Sequence, residues 1–221
     1  MPNIEKKQIA YNRVARTSAI KYIVIHDTAN KSKGADADAH FKYFNGGNRN
    51  SSADFFVDDV KILQINDYKK YCTWQVGDGK GKYGITNQNS VGIEICINSD
   101  GNYEKAVDNA VALTKHLMKE LCIPAECVVR HYDASRKNCP ASMNGRNWQK
   151  WEQFKNRIRE ETMENKFKDI SGHFAQKAIE ELCTMGVVNG VSETEFAPEK
   201  VATRGEVAVI ARNIIRYITG E

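Results

Sequence analysis

Two histidines and one cysteine stand where a rigid framework ends. His26 closes the run YIVIH, His131 follows VVR, and Cys139 lies in the turn Asn138-Cys139-Pro140. Strand ends present side chains to a cleft, and two imidazoles with a thiolate suit tetrahedral Zn2+ whose fourth position is left for water. Each residue taken singly reads as an ordinary surface or hydrogen-bonded side chain, and no HExxH or paired CxxC joins them locally. The set is more telling than its members. Asp27 directly follows His26 and Asp133 lies two residues after His131, which suits either fixing an imidazole tautomer or capping a turn. Trp74, Asn87 and Asn89 are weaker candidates for lining a groove.

The elements that must position these residues follow from the pattern. YIVIHD is compact and β-branched, as in a strand covered on both faces. Residues 35–46 predict a helix running into NGGNRNSS, and FFV with KILQI predicts an antiparallel hairpin. In VGIEICIN, Val91, Ile93, Ile95 and Ile97 share one strand face. Gly92, Glu94 and Cys96 then share the other, and a carboxylate in mid-strand needs a reason. Val107, Ala110, Val111, Leu117, Met118 and Leu121 recur at helical spacing over 104–122, and the helix ends at Ile123-Pro124. CVVRHYD reads as a second buried strand whose end carries His131, followed by irregular chain and a helix from Trp148 to Glu160. Mixed strands with covering helices predict an α/β domain over residues 1–160. Residues 161–221 predict a small all-α module, with apolar stripes at Phe174, Ala178, Ile179 and Leu182, and at Val207, Ile210, Ala211, Ile214, Ile215 and Ile218. A segment that short buries too little surface to leave such stripes unpartnered.

At 41% hydrophobic and 27% charged residues, the 221-residue chain has enough apolar surface to fold, which excludes a largely disordered or collagen-like protein. No apolar run approaches the roughly 18–20 residues of a membrane span, and MPNIEKKQIAYNRVARTS is charged where a signal peptide is apolar. Membrane insertion and self-directed export are therefore not expected. The six cysteines lack a framework spacing, so reduced thiols are expected, with Cys72, Cys96, Cys122, Cys127 and Cys183 acting as small buried hydrophobes. Residues 161–221 carry 7 Lys/Arg and 10 Asp/Glu, a net −3, which leaves +7 on residues 1–160. The basic part favours a polyanion, but no basic helix or RNA-binding signature points to nucleic acid.

YIVIHDTAN, NQNSVGIE and RHYDASRKNCP together resemble the zinc N-acetylmuramoyl-L-alanine amidase family, which also includes phage lysozyme-type amidases and peptidoglycan recognition proteins. The resemblance implies a central mixed sheet with flanking helices, a peptide-binding groove, and one Zn2+ held by His26, His131 and Cys139. It gives Glu94 the task of acting on the zinc water and Lys137 that of meeting developing negative charge. Both tasks match what a carboxylate and a cation supply. Relatives carry a Tyr before the second strand and a His after a Trp, where this chain has Ala53-Asp54 and Gln75. Those departures place more of the proton transfer on Glu94.

FKDI, GVVNG, FAP and TRGE, spread over residues 167–216, resemble one S-layer homology repeat. That resemblance implies binding of an anionic secondary cell-wall polymer through Thr203, Arg204 and Glu206. Such repeats usually come in threes and one is found here, so its apolar stripes are expected to pair with the catalytic domain or with copies from other chains, and homo-oligomerisation is expected. Thr203 and Glu206 are also spaced as a capping box. Together the two resemblances imply a peptidoglycan hydrolase of phage or prophage endolysin type. Such an enzyme is made in the cytoplasm and reaches the wall after lysis or through a holin-type pore. The rival expectations are a recognition protein that binds peptidoglycan without hydrolysis, and a wall-anchoring subunit.

Overall fold

Residues 22–27 can only be a strand with both faces covered, because every side chain after Tyr22 is buried. The computed structural model describes residues 2–159 and 167–219. Its strands are β1 (Ile4–Lys6), β2 (Arg13–Ala15), β3 (Tyr22–Asp27), β4 (Phe55–Val57), β5 (Ile62–Gln64), β6 (Tyr71–Thr73), β7 (Ser90–Ile95) and β8 (Val128–Arg130). Six form a mixed sheet in the order β1-β5-β4-β7-β3-β8, and β2 pairs with β6 as a separate antiparallel ribbon. The helices are α1 (Ala37–Asn45), α2 (Tyr103–Leu121), α3 (His131–Ser135), α4 (Gly145–Arg159), α5 (Gln176–Thr184) and α6 (Arg204–Thr219). The chain divides into two compact units, Met1–Arg159 and Glu160–Glu221. The expected helix end at Glu160 and the boundary between residues 160 and 161 lie outside the described residues.

Alternation along the strands separates two tasks. Ile23, Ile25, Phe55, Val57, Ile93 and Ile95 face one way and pack against α2 and α4 through Val107, Ala110, Leu117, Trp151, Phe154 and Ile158. Each Val, Ile, Leu or Phe among them contributes about 1.5–3 kcal/mol on burial. On the opposite face, the parallel register of β3 and β7 sets His26 beside Glu94 and Val24 beside Gly92. The mid-strand carboxylate thus belongs to the face turned away from the main core.

Several boundaries differ by local chemistry. The Asp133 carboxylate accepts from the Arg130 backbone N–H at 2.9 Å, which turns the chain into α3, so His131 opens a helix instead of closing β8. Strand β7 stops at Ile95, short of Ile97. Arg146, Asn147 and Trp148 have φ of 49°, 56° and 67° within the first turn of α4, so regular helix begins after Trp148. Helix α2 is capped by Asn102 and ends at Cys122, whose φ is 53°. Cys122 is therefore an exposed helix terminus, not a buried hydrophobe, and Cys127 and Cys183 are only half-buried. No disulfide forms among the described residues, and no helix among them is long and apolar enough to cross a membrane.

The second unit has a small core of Phe167, Ile170 and Ile179, against which Ala175, Cys183 and Phe196 pack. Phe174 is 95% exposed and precedes α5, so it does not join that stripe. On α6, Val207, Ile214, Ile215 and Ile218 are exposed and no residue is buried. Helix α6 begins with a reciprocal capping box. The Thr203 N–H donates to Glu206 Oε2 at 2.7 Å, and the Glu206 N–H donates to Thr203 Oγ1 at 3.2 Å.

Asp54, fully buried beside β7, joins three elements. It accepts from the Gly92 N–H at 2.8 Å, the Asn66 amide at 2.7 Å and the Thr73 hydroxyl at 3.1 Å. An unpaired buried donor costs about 1–3 kcal/mol. Asp54→Ala is therefore expected to lower the unfolding free energy by at least about 3 kcal/mol in chemical denaturation.

Candidate metal centre

The three soft donors singled out at segment ends meet. His26 comes from the end of β3, His131 from the first turn of α3, and Cys139 from the loop after α3. His26 Nδ1 lies 3.1 Å from His131 Nδ1 and 3.7 Å from Cys139 Sγ. All three side chains are buried, and their donor atoms fall within 4.8 Å of one another. The loop is pinned at both ends, since the Tyr132 N–H donates to the Cys139 carbonyl at 3.0 Å and the Ser142 N–H to Asp27 Oδ2 at 2.7 Å.

The outer nitrogens are held by oxygen atoms. His26 Nε2 is 3.0 Å from Gln75 Oε1, and His131 Nε2 is 2.8 Å from Asp78 Oδ1. An amide oxygen and an ionised carboxylate only accept, so each ring carries its hydrogen on Nε2 and keeps a lone pair on Nδ1. The two Nδ1 atoms are 3.1 Å apart. A proton is poorly placed to relieve that contact. Burial, with the His131 ring adjacent, pushes His26 down to about 3, and burial also lowers His131. Burial and the Glu94 charge push the Cys139 thiol up. Two imidazole nitrogens and one sulfur, neutral and turned inward, form a donor set that fits a metal cation, whose binding displaces the thiol proton.

Glu94 extends beside this cluster. Its Oε1 is 3.9 Å from His26 Nδ1, its side chain is 20% exposed, and its buried Oε2 has no hydrogen-bond partner. Burial and the Asp27 charge push its carboxyl well above the usual carboxylate range, against the pull of Lys137. Lys137 is exposed on the loop before Cys139. Its charge acts on Glu94, Cys139 and both histidines.

The other candidates fall elsewhere. Neither Asp27 nor Asp133 reaches an imidazole. Asp27 accepts from the backbone N–H groups of Ala29 and Ser142, and Asp133 accepts from Arg130 through both its backbone and its guanidinium. Both cap turns. Asn87 Oδ1 accepts from the backbone N–H groups of Gln75 and Val76 at 3.0 and 2.8 Å. Asn89 likewise braces its own turn through the Thr86 N–H and the Gly84 carbonyl. Trp74 is half-buried and its backbone pairs with Ser52.

The imidazole partners are instead two residues that local pattern did not single out for that task. Asp78 lies in the glycine-rich turn Gly77–Gly79. A Cβ at Gly79 would sit 2.2 Å from the Ala134 carbonyl oxygen, so glycine there lets the turn press against α3. Burial works to raise Asp78, but the His131 Nε2–H and the Ser135 hydroxyl hold it below the usual carboxylate range. The glycines were the available signal, marking a close backbone approach without naming its partner.

Comparison with known proteins places this geometry. Residues 16–142 match the family model described as N-acetylmuramoyl-L-alanine amidase, and residues 166–208 match the S-layer homology domain. N-acetylmuramoyl-L-alanine amidase CwlH of Bacillus subtilis (strain 168) is 44% identical over 132 residues, covering 60% of this chain and 52% of the relative. Amidase XlyA of the same strain is 40% identical over 149 residues, covering 66% and 46%. The solved catalytic domain of XlyA is 39% identical with a TM-score of 0.63, covering 71% of this chain and 99% of that one. A mutant endolysin from Bacillus subtilis is 41% identical with a TM-score of 0.64, covering 72% and 99%. The chain spans about half the length of the curated relatives it matches. With a family model matched across most of the sheet and all three soft donors, the chain belongs to the N-acetylmuramoyl-L-alanine amidase family.

Proposed function

We propose that this protein hydrolyses the amide bond between the lactyl group of N-acetylmuramic acid and L-alanine in peptidoglycan, acting as an endolysin at the bacterial wall. The observation that carries the reading is the convergence of His26 Nδ1 and His131 Nδ1, 3.1 Å apart, with Cys139 Sγ 3.7 Å from His26 Nδ1. Zinc would suit this donor set, with His26, His131 and Cys139 holding it. Held there, zinc supplies Lewis acidity that makes water more acidic and polarises a carbonyl. Glu94 moves the proton. Its unpartnered oxygen takes it from the attacking water and returns it to the departing alanine nitrogen. Lys137 meets the negative charge that develops on the carbonyl oxygen.

The S-layer homology unit is read as a wall anchor. Arg204, exposed at the start of α6 beside the Thr203–Glu206 capping box, offers a guanidinium to a carboxylate or phosphate of an anionic wall polymer. The exposed apolar positions of α6 support self-association through this unit. Delivery from the cytoplasm through lysis or a holin-type pore completes the reading.

Incubation of purified Gram-positive walls with the full chain is expected to release new N-terminal L-alanine. Glu94→Ala should lower that rate about 100- to 10,000-fold while zinc content stays at one per chain. Cys139→Ala should lose the zinc. Wall binding without new amino termini from the wild type would instead support a recognition protein. In wall pull-down, Arg204→Ala is expected to weaken retention more at low than at high salt. Sedimentation at micromolar concentration is expected to give a mass above one chain, and a single-chain mass would remove the self-association reading.

A further inference from the structure

Gln75 follows Trp74 in the loop after β6 and is only 7% exposed. Its amide is tied at both ends. Oε1 faces His26 Nε2 at 3.0 Å, and the amide nitrogen donates to Ser90 Oγ at 3.3 Å. Ser90 has one hydrogen, and it goes to the Thr86 carbonyl at 2.6 Å. The Ser90 oxygen can then only accept from Gln75, which fixes which end of the amide is oxygen. An amide oxygen cannot donate, so the hydrogen between Gln75 and His26 belongs to His26 Nε2, and the Nδ1 lone pair turns toward His131 and Cys139.

This arrangement has room only because of a glycine. A Cβ at Gly92 would meet Gln75 Oε1 at 2.0 Å and its amide carbon at 2.5 Å. Gly92 pairs with Val24 in the sheet, one step before the His26–Glu94 pair. The glycine of the Gly92-Ile93-Glu94 run is therefore a slot cut into the sheet for the Gln75 amide.

We propose that the relay from the Thr86 carbonyl through the Ser90 hydroxyl and Gln75 amide, seated in the slot at Gly92, fixes the His26 tautomer and thereby sets the zinc affinity of the site. Gln75 is a positioning residue in this scheme. The inference rests on the reading of His26 as a metal ligand.

The test is zinc affinity of the full chain, measured by competition with a chromophoric chelator, with thermal unfolding of the metal-free proteins as a check on folding. Gln75→Leu removes the acceptor and is expected to weaken zinc about 10- to 100-fold, the range for partners of ligating histidines. Gln75→Glu keeps an acceptor and should recover most of that loss, which a merely space-filling role would not predict. Gly92→Ala should weaken zinc to a similar extent in the wild-type background. Once Gln75 is already Ala, the same change should cost nothing further, because the group it displaces is gone. Equal affinity of wild type and Gln75→Leu, an equally weak Gln75→Glu, or additive losses for Gly92 and Gln75 would each overturn the relay. If wild type binds no zinc, the metal reading itself falls and the relay with it; if wild type binds zinc and Gln75→Leu matches it, only the relay falls.

Discussion

Two unprotonated imidazole nitrogens held 3.1 Å apart in a buried place are electrostatically unstable unless a positive charge lies between them. Here the rings cannot rotate away from the conflict, because Gln75 and Asp78 hold their outer nitrogens. They resist solving it with a proton as well, because burial disfavours the charged ring. A metal cation resolves it and also accounts for the buried thiol. Much of the first unit can be understood as scaffolding that keeps this arrangement from relaxing.

The sheet supplies the rigidity. In a parallel pair, side chains in register point to the same face, so aligning β3 with β7 is sufficient to put Glu94 next to His26. The opposite face spends its Ile and Phe residues on α2 and α4, which leaves the first face free for chemistry. Asp54 reinforces the same strand from the other side by accepting from the Gly92 N–H. Asp54 thus serves the framework that holds Gln75 and Glu94.

The sequence made some of this legible and hid the rest for identifiable reasons. His26, His131 and Cys139 were marked by segment-end position and donor type, and the family resemblance tied the three together. Glu94 could be found because a carboxylate among Ile93 and Ile95 breaks a strand pattern. Asp27 and Asp133 were candidates for imidazole partners or turn caps through nearness in sequence alone, and each carboxylate is taken up by backbone N–H groups. Gln75 and Asp78 reach their histidines from loops 49 and 53 residues away in sequence, a separation that no periodicity encodes. In the second unit the apolar stripe of α6 was legible, and so was the capping box. Phe174 was misjudged because it precedes the helix whose spacing it imitates.

X-ray absorption at the zinc edge of the zinc-loaded protein tests the central claim most directly. The account requires a four-coordinate ion with one sulfur near about 2.3 Å, and two imidazole nitrogens plus one further light atom near about 2.0–2.1 Å. A spectrum with two sulfurs, with none, or with a third imidazole in place of the light atom would contradict it.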